Sequence, residues 1–405
     1  MLVLSAPAIP KNLTAGPASR SGASPSAVST VEVVPADNSP ARHRFRYLPQ
    51  LDGMRGLAII LVLLAHTAES SHLSLKWTII IGSLSRLGVL LFFVLSGFLI
   101  TGLLFAERLE TGDIDLQSFY VRRALRLFPA LFVFLATMFA LVQLHWIAHV
   151  SNAEFLACLF YARNFYGQSI ALGHLWSLSL EEQFYLCCPY VLRVLPMAWI
   201  FRVTAAVTCA IAGFRALAIH FNLWNLGERA YYMLPYFRFD SLLIGSCLAL
   251  ALARPTATAE RVRSIVQRLP GGLLWVVLLS WSAFAGNYKH SLYQSIQLLL
   301  AALLLAKIVF GQGRWSQAFF RHAVLRFIGK LSYSLYLWQE LFLLARPPSW
   351  GTWPTFPLWL LPPLALAFLS YRFVESPALR LKRRFEYSSQ SAANFVGVHR
   401  VYVRP

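Results

Sequence analysis

The chain has 405 residues, of which 57% are hydrophobic and only 13% are charged. This composition excludes a string of ordinary soluble domains. It predicts an all-α, polytopic integral membrane bundle, because several apolar runs reach the length of about 20 residues that a bilayer-spanning helix needs. The net charge is +19. We expect no nucleic-acid partner, because the basic residues recur between the apolar runs instead of forming one block.

The sequence begins with a segment that lacks a regular hydrophobic period and then alternates apolar spans with short connections. Residues 1–45 are rich in Ala, Ser, Pro and Val without a helical or strand period, so we expect a disordered cytoplasmic tail. Residues 46–385 form one predicted transmembrane domain of about ten helices, and residues 386–405 form a short C-terminal tail. The predicted spans are 51–69, 87–106, 127–146, 172–195, 199–220, 231–253, 272–287, 291–310, 326–346 and 356–374.

The distribution of Lys and Arg predicts the orientation of these spans. With the N-terminus placed inside, the inside segments hold 20 basic residues and the outside segments hold 7. Lys and Arg beside a spanning helix are retained on the cytoplasmic side. We therefore expect a multi-pass protein of the inner or plasma membrane, with both termini in the cytoplasm.

The first span contains three ionisable groups. Arg55 and His66 are eleven residues apart, which on a helix is about three turns plus 20° and a rise of about 16 Å, so both project from one face. Asp52 joins that face. An ionisable group within a span is costly and predicts function, and a neutral imidazole can accept a proton from a hydroxyl. The alternative is that Asp52 and Arg55 are interfacial anchors and His66 a helix-packing hydrogen bonder.

Polar residues recur in two later spans. Ser96 and Gly97 form a small pair within the second span, which favours close helix packing over ligand access. Glu181 and Glu182 follow an aromatic, polar stretch in the fourth span, where a carboxylate needs a partner or a watery cavity. The alternative for these glutamates is an interfacial position outside the hydrocarbon.

Other polar groups predict architecture rather than chemistry. Arg238 and Asp240 lie two residues apart at the start of the sixth span, and such positions on a helix point away from each other. Each therefore needs a partner elsewhere in the bundle or lies at the interface. The five cysteines lack the spacing of metal ligands, and we expect neither a metal nor a resident cofactor.

Seven blocks of the sequence resemble, in order, those of the membrane acyltransferase-3 family, and they extend over residues 47–385. The first helix of that family has an arginine, ten residues and then a histidine, and Arg55 and His66 match this pattern. Any single block is a weak signal, whereas seven in order are a strong one. The blocks are LDGMRGLAIILVLLAH at 51–66, GVLLFFVLSGFLITGLL at 88–104, FYVRRALRLFPAL at 119–131, HLWSLSLEEQFYL at 174–186, YFRFDSLLIGSCLAL at 236–250, IGKLSYSLYLWQELF at 328–342 and YRFVESPALRLKRR at 371–384.

The resemblance implies an integral-membrane O-acyltransferase. Family members move an acyl group, most often acetyl, from cytoplasmic acyl-CoA to a hydroxyl of a carbohydrate or lipid-linked glycan, and others acylate antibiotics. By this resemblance His66, as the general base, and Arg55 form the essential pair. Arg123 and Arg126 match the RxxR element, whose guanidinium groups would bind CoA phosphates; the alternative is an ordinary positive-inside anchor. Glu182 is expected to position an arginine or the catalytic histidine.

The sixth block adds aromatic residues and one departure from the family. Tyr333, Tyr336 and Trp338 could line an acceptor site, although an aromatic belt at the membrane interface is the favoured interpretation. Gln339 stands where relatives often carry a histidine. This departure leaves His66 as the sole strong candidate for a base.

A second interpretation is a transporter or flippase for a glycan or small polar solute, in which the intramembrane charges mark a permeation or proton route. The sequence shows no obvious inverted repeat or matching pair of broken helices. The partners expected of the transferase are the lipid bilayer, acyl-CoA as donor, and a carbohydrate, lipid-linked glycan or hydroxylated small molecule as acceptor. Dependence on CoA distinguishes the two interpretations, because a transporter moves its substrate unaltered.

Overall fold

The computed structural model of the chain describes residues 48–69, 75–222, 233–253, 257–284, 291–310, 314–343 and 358–382, all of which belong to one compact unit. Both predicted tails, 1–45 and 386–405, lie outside the described residues. Within the described ranges the regular structure is helical and no strand occurs. The predicted all-α fold class is therefore confirmed for this part of the chain.

The regular structure of the described residues consists of fifteen α-helices, a 3₁₀ turn and a π-helical segment. The helices are α1 (Pro49–Glu69), α2 (Leu75–Thr111), α3 (Leu116–Gln143), α4 (Asn152–Leu159), α5 (Leu175–Val194), α6 (Ile200–His220), α7 (Pro235–Arg238), α8 (Asp240–Ala253), α9 (Ala257–Arg268), α10 (Gly271–Phe284), α11 (Ser291–Phe310), α12 (Arg314–Arg321), α13 (Ala323–Leu343), α14 (Leu361–Ser370) and α15 (Ser376–Lys382). The 3₁₀ turn at Leu358–Leu360 precedes α14, and the π-helical segment at Tyr371–Glu375 joins α14 to α15.

Four of the described helices are long and apolar enough to cross a membrane, namely Ile80–Thr111 of α2, α3, α6 and Tyr293–Phe310 of α11. Helices α9 and α10 meet the same criteria together but bend by 83° at their break, so the described residues contain up to five such spans. A helix overlaps each of the ten predicted spans, yet the number ten is not confirmed. Helices α2 and α3 begin at Leu75 and Leu116, earlier than predicted, because a helix can continue through charged residues that end an apolar window.

Glycines allow the central helices to approach each other closely. Helix α1 packs against both α2 and α13, and α2 packs in turn against α8. A Cβ atom at Gly329 of α13 would lie 1.8 Å from the carbonyl oxygen of Asp52 in α1, and one at Gly97 of α2 would lie 1.8 Å from that of Leu242 in α8. These distances leave no room for a side chain, and small residues permit such contact between membrane helices. The predicted close packing at Gly97 is confirmed.

A buried ion pair ties α8 to α6. Arg215 of α6 donates to Asp240 Oδ2 at 2.6 Å and to the carbonyl oxygen of Phe237 at 2.8 Å. It also donates to Ser295 Oγ of α11 at 2.9 Å. The side chains of the pair are 2% and 1% exposed, and Arg238 is buried as well. The prediction that Asp240 has a partner elsewhere in the bundle is confirmed, and its contacts are architectural.

The close contact at Gly97 predicts a measurable loss of stability on substitution. We expect Gly97→Ala to destabilise the protein by about 1–3 kcal/mol, because the added methyl group must push α2 away from α8. Gly213→Ala is the matched control, since no atom lies within 4 Å of a Cβ at that position of α6. The measurement is thermal unfolding of both variants in the same detergent, and equal melting temperatures would contradict the assigned contact.

Candidate active site

A cleft lies among α1, α2, α3, α5 and α13. Three arginines from distant parts of the sequence meet in its wall, Arg55 from α1 and Arg123 and Arg126 from α3. We call this feature the arginine cleft. Its other lining residues are Val89, Phe92, Phe93, Ser96, Leu127, Ser177, Leu178, Glu181, Ser332, Tyr333 and Tyr336. The structure thus brings together all three arginines that the sequence predicted for a site.

Helix α3 begins at Leu116, so Arg123 and Arg126 both lie within the helix. Asp115 caps its N-terminus by accepting from the backbone N–H of Ser118 at 2.9 Å, and hydrogen bonds from Ser118 hold the pKa of this carboxyl below its usual range. The helix continues through the RALR element, whose arginines, three positions apart, share a face. The positive charges of Arg55 and Arg123 repel that of Arg126. Such repulsion favours an anionic ligand.

Arg123 is held in place by a carboxylate from α5. Its Nε and Nη2 atoms donate to Glu182 Oε1 at 3.0 and 2.8 Å, and Nη2 lies 3.5 Å from Glu181 Oε1. The guanidinium carbon is 3.6 Å from the centre of the Tyr185 ring, a cation–π distance. Glu182 therefore contacts an arginine, as the sequence led us to expect, while a role in the reaction stays a prediction.

Glu181, the neighbour of Glu182, is the glutamate that faces the arginine cleft. Its Oε1 atom accepts from Ser96 Oγ at 2.5 Å and from the Tyr185 hydroxyl. Adjacent helical positions point about 100° apart, so only one of the two carboxylates can face the opening directly. Ser96 lines the same cleft. Its hydroxyl makes the polar contact with Glu181, whereas the adjacent Gly97 makes the packing contact with α8.

His66 lies further along α1 and is not among the residues that line the arginine cleft. Its Nδ1 atom is 2.7 Å from Oε1 of Gln339 in α13. Because an amide oxygen only accepts hydrogen bonds, Nδ1 is the donor and Nε2 keeps the lone pair that can take a proton. The residue that departs from the family pattern thus orients the predicted base. Arg55 and His66 lie on one helix face with a rise of about 16 Å between them.

A second histidine contact was not predicted from the sequence. His174, which immediately precedes α5, places Nδ1 2.8 Å from Oε2 of Glu340 in α13, and its backbone N–H donates to the same oxygen at 3.2 Å. Both side chains are buried. A glutamate inside an apolar span is itself a signal of a partnered or functional position, so Glu340 could have been found on that ground.

Two of the three aromatic residues of the sixth block line the arginine cleft. Tyr333 and Tyr336 lie in its wall, whereas Trp338 is buried elsewhere. The Tyr336 hydroxyl donates to the carbonyl oxygen of His174 at 2.9 Å and lies 2.5 Å from Ser177 Oγ. Both tyrosines therefore face the interior of the bundle rather than a belt at the membrane interface.

The long apolar helices and the charged cleft within their bundle define a multi-pass membrane protein with a site suited to an anionic ligand. A family profile described as an acyltransferase domain, that of acyltransferase-3, matches residues 48–372. The chain belongs to the acyltransferase-3 family, and the resemblance read from the sequence is confirmed.

Curated relatives of the chain are named as O-acetyltransferases. One relative is a protein of Staphylococcus aureus (strain COL), whose name gives the O-acetyltransferase activity as provisional. It is 30% identical over 360 residues, and the aligned region covers 82% of this chain and 58% of the relative. The peptidoglycan O-acetyltransferase OatA of Listeria monocytogenes is 28% identical over 362 residues, which cover 83% of this chain and 56% of the relative. The chain therefore spans little more than half the length of these relatives. No solved structure matches it.

The contact between Arg123 and Glu182 predicts strong coupling of their contributions to stability. We expect Glu182→Ala to destabilise the protein by about 3–5 kcal/mol, because it leaves a buried guanidinium without its closest carboxylate. The double variant Arg123→Ala/Glu182→Ala should be more stable than Glu182→Ala alone. Thermal unfolding of the two single variants and the double variant completes the cycle, and simple additivity would show that the pair is not coupled.

Proposed function

We propose that the chain is an integral-membrane O-acyltransferase that transfers an acyl group, with acetyl expected, from acyl-CoA to a hydroxyl of a carbohydrate, glycolipid or related acceptor. The observation that carries this proposal is the convergence of Arg55, Arg123 and Arg126 in one cleft, beside the helix that also bears His66. Family membership and the names of the relatives support the acyltransferase part.

The lining of the arginine cleft suits the phosphates of CoA. It contains three guanidinium groups and one carboxylate, that of Glu181, so it attracts a polyanion. A guanidinium binds phosphate through two parallel N–H···O hydrogen bonds. Arg123 is oriented by Glu182, which reduces the ordering that ligand binding would require.

The spacing along α1 suits a long donor. Arg55 and His66 are separated by a rise of about 16 Å on one helix face, and Arg55 lies in the arginine cleft. In acyl-CoA the phosphates and the thioester occupy opposite ends of an extended pantetheine arm. Phosphates held by the arginines would therefore leave the thioester free to reach towards His66.

In the proposed reaction the acceptor oxygen attacks the thioester carbonyl carbon. The acceptor O–H gives its proton to His66 Nε2 as the C–O bond forms, the C–S bond then breaks, and the departing CoA thiolate takes the proton from the imidazolium. A route through a transient acyl-histidine would begin with attack by the same nitrogen on the thioester. Both routes require Nε2 to be unprotonated, which is the tautomer that the Gln339 contact favours.

A carbohydrate is the proposed class of acceptor. The relative from Listeria monocytogenes is named as a peptidoglycan O-acetyltransferase, and the arginine cleft of this chain presents the rings of Tyr333 and Tyr336, on which a sugar could stack. Since the chain spans 56% of that relative, the acceptor is proposed here from these two observations together.

We also propose the predicted orientation, in which residues 46–385 cross the membrane ten times with both termini in the cytoplasm; contacts between helix ends agree with the alternation of sides that it requires. Arg193 near the end of α5 donates to the two carboxylate oxygens of Asp113 at 2.8 and 2.7 Å, and both residues belong to segments assigned to the inside. The contact of His174 with Glu340 joins the predicted spans 172–195 and 326–346, in the half of each span that is nearer the predicted outside. Acyl-CoA would then enter from the side of Asp113.

The proposed function is tested by release of CoA from acetyl-CoA by the protein in nanodiscs, with peptidoglycan fragments, glycans and glycolipids as acceptors. We expect acceptor-dependent release by the wild type and a loss of at least about 100-fold in His66→Ala, because the base is removed. His322→Ala is the control, since His322 is exposed, and it should keep full activity.

Two results would contradict the proposal. Acceptor-dependent release that persists in His66→Ala would remove this histidine from the mechanism. Absence of release with every acceptor, together with uptake of an unmodified glycan into proteoliposomes without CoA, would favour the transporter.

A further inference from the structure

A second groove, separate from the arginine cleft, lies where α9, α10, α11 and α12 meet α1. Its volume of about 640 Å³ falls in the range of sites that bind small molecules. The side chains that line it are apolar, apart from Lys307 of α11 and Ser316 of α12. We call this feature the lysine groove.

The lysine groove and the arginine cleft lie on opposite faces of α1. Leu57 and Leu61 line the groove, whereas Arg55 lines the cleft. At about 100° per helical residue, Leu57 and Leu61 project about 200° and 240° away from Arg55. The two sets of described lining residues share no member, so the groove is a site of its own.

A sharp bend in the chain opens the lysine groove. Helix α10 bends away from α9 by 83°, and the two residues between the helices, Leu269 and Pro270, lie in the lining. Gly271 and Gly272 follow at the start of α10, and a Cβ at Gly272 would meet no atom within 4 Å. The glycines therefore leave open space next to the backbone at the bend.

Lys307 carries the only charge among the described residues of the lining. Its stem runs along Gly271, because its Cγ and Cε atoms lie 3.7 and 3.8 Å from the position of a Cβ at that glycine. Its Nζ atom donates to the carbonyl oxygen of Gln267 at 2.7 Å. This bond uses one of the three N–H donors of the ammonium group, so the same group can also donate to a bound anion.

Helix α9, which ends at the bend, adds positive charge near the groove. It carries Arg261, Arg263 and Arg268 against one acidic residue, Glu260. All three arginines are exposed. Lys307 therefore lies in a region of positive charge, which attracts an anionic ligand.

Aromatic rings form one wall of the lysine groove. The rings of Trp275 in α10 and Phe320 in α12 stack with their centres 5.9 Å apart and their planes at 24°. Phe320 is buried, whereas Phe319 beside it is 53% exposed. This wall offers a hydrocarbon chain an apolar surface close to the charged lysine.

The position of the groove relative to the predicted spans indicates the cytoplasmic leaflet. Helices α9 and α12 belong to segments between predicted spans that are assigned to the inside. A basic pocket between membrane helices on that side is typical of a site for anionic lipid headgroups. Anionic lipids of that leaflet are also the ligands that the bilayer itself supplies.

We infer that the lysine groove binds an anionic phospholipid of the cytoplasmic leaflet, with its phosphate at Lys307 and one acyl chain along Trp275 and Phe319. The phosphate accepts charge-assisted hydrogen bonds from the ammonium group, and the acyl chain follows the apolar lining past the bend between α9 and α10. The bound lipid would hold this bend in place on the face of α1 opposite the arginine cleft. The inference does not depend on the proposed transferase activity.

Native mass spectrometry of the full chain, purified in detergent and stripped of lipid, tests this inference. The probes are phosphatidylglycerol and phosphatidylcholine with identical acyl chains. We expect the wild type to bind phosphatidylglycerol about fivefold more tightly, the contribution of one basic residue to binding of an anionic lipid.

Substitutions of Lys307 assign this preference to one side chain. Lys307→Gln should reduce the preference to less than about twofold, because the charge is lost, whereas Lys307→Arg should keep it. The control is Lys330→Gln, which removes an exposed lysine of α13 outside the groove lining and should keep the wild-type preference.

A variant that fills the lysine groove gives a second test. Gly272→Leu adds a side chain at a position where a Cβ meets no atom within 4 Å, and binding of phosphatidylglycerol should weaken at least about tenfold. Gly213→Leu, at an equally open position of α6, should bind as the wild type does. Thermal unfolding without lipid shows whether both variants are folded; if Gly272→Leu is not, the comparison of Lys307→Gln with Lys307→Arg decides.

Three results would overturn the inference. The first is equal affinity of the wild type for the two lipids, and the second is an unchanged preference in Lys307→Gln. The third is wild-type affinity for phosphatidylglycerol in folded Gly272→Leu. A lipid-free dimer of the wild type that Gly272→Leu converts to a monomer would assign the groove to a second copy of the chain instead.

Discussion

The site depends on the burial of positive charge inside a helical bundle. Arg55, Arg123 and Arg126 share one cleft, and guanidinium groups that repel one another in a poorly hydrated space raise the free energy of the protein unless negative charge offsets them. Glu182 supplies that charge for Arg123, and Glu181 faces the opening. The remaining excess of positive charge is what a polyanionic donor would neutralise on binding.

Helix α1 links this electrostatic feature to the packing of the fold. One face of the helix bears Arg55 and His66, whose neighbours come from α3 and α13. The helix reaches α13 closely because Gly329 has no side chain where it meets the carbonyl oxygen of Asp52, and Gly56 has none where it meets that of Leu325. The same approach brings Gln339 within hydrogen-bond distance of His66. The distance between two backbones therefore sets the geometry at the predicted base.

Features that depend on local helical geometry could be predicted from the sequence. The shared face of Arg55 and His66 follows from the helical period, and so does that of Arg123 and Arg126, because neighbours on one helix need no tertiary information. The all-α class follows from apolar runs whose backbone groups must be satisfied within each segment. Helices α2 and α3 begin earlier in the chain than the sequence predicts, because hydropathy detects the apolar part of a helix and not its charged N-terminal extension.

Contacts between distant segments could not be predicted. Gln339 and His66 are 273 positions apart, and Glu340 and His174 are 166 apart; nothing in either local sequence specifies the partner. The sequence showed Gln339 only as a departure from the family pattern. Its structural role emerges from packing, because the amide of Gln339 meets His66 on another helix.

Binding of the donor's phosphates by the arginine cleft is tested most directly by isothermal titration calorimetry of CoA with the protein in nanodiscs. Compared with the wild type, the double variant Arg55→Gln/Arg126→Gln should bind at least about tenfold more weakly, since it loses two charge-assisted contacts to phosphate. His66→Ala should bind CoA as the wild type does, because His66 lies outside the cleft lining. Equal affinity in the double variant and the wild type would contradict the account.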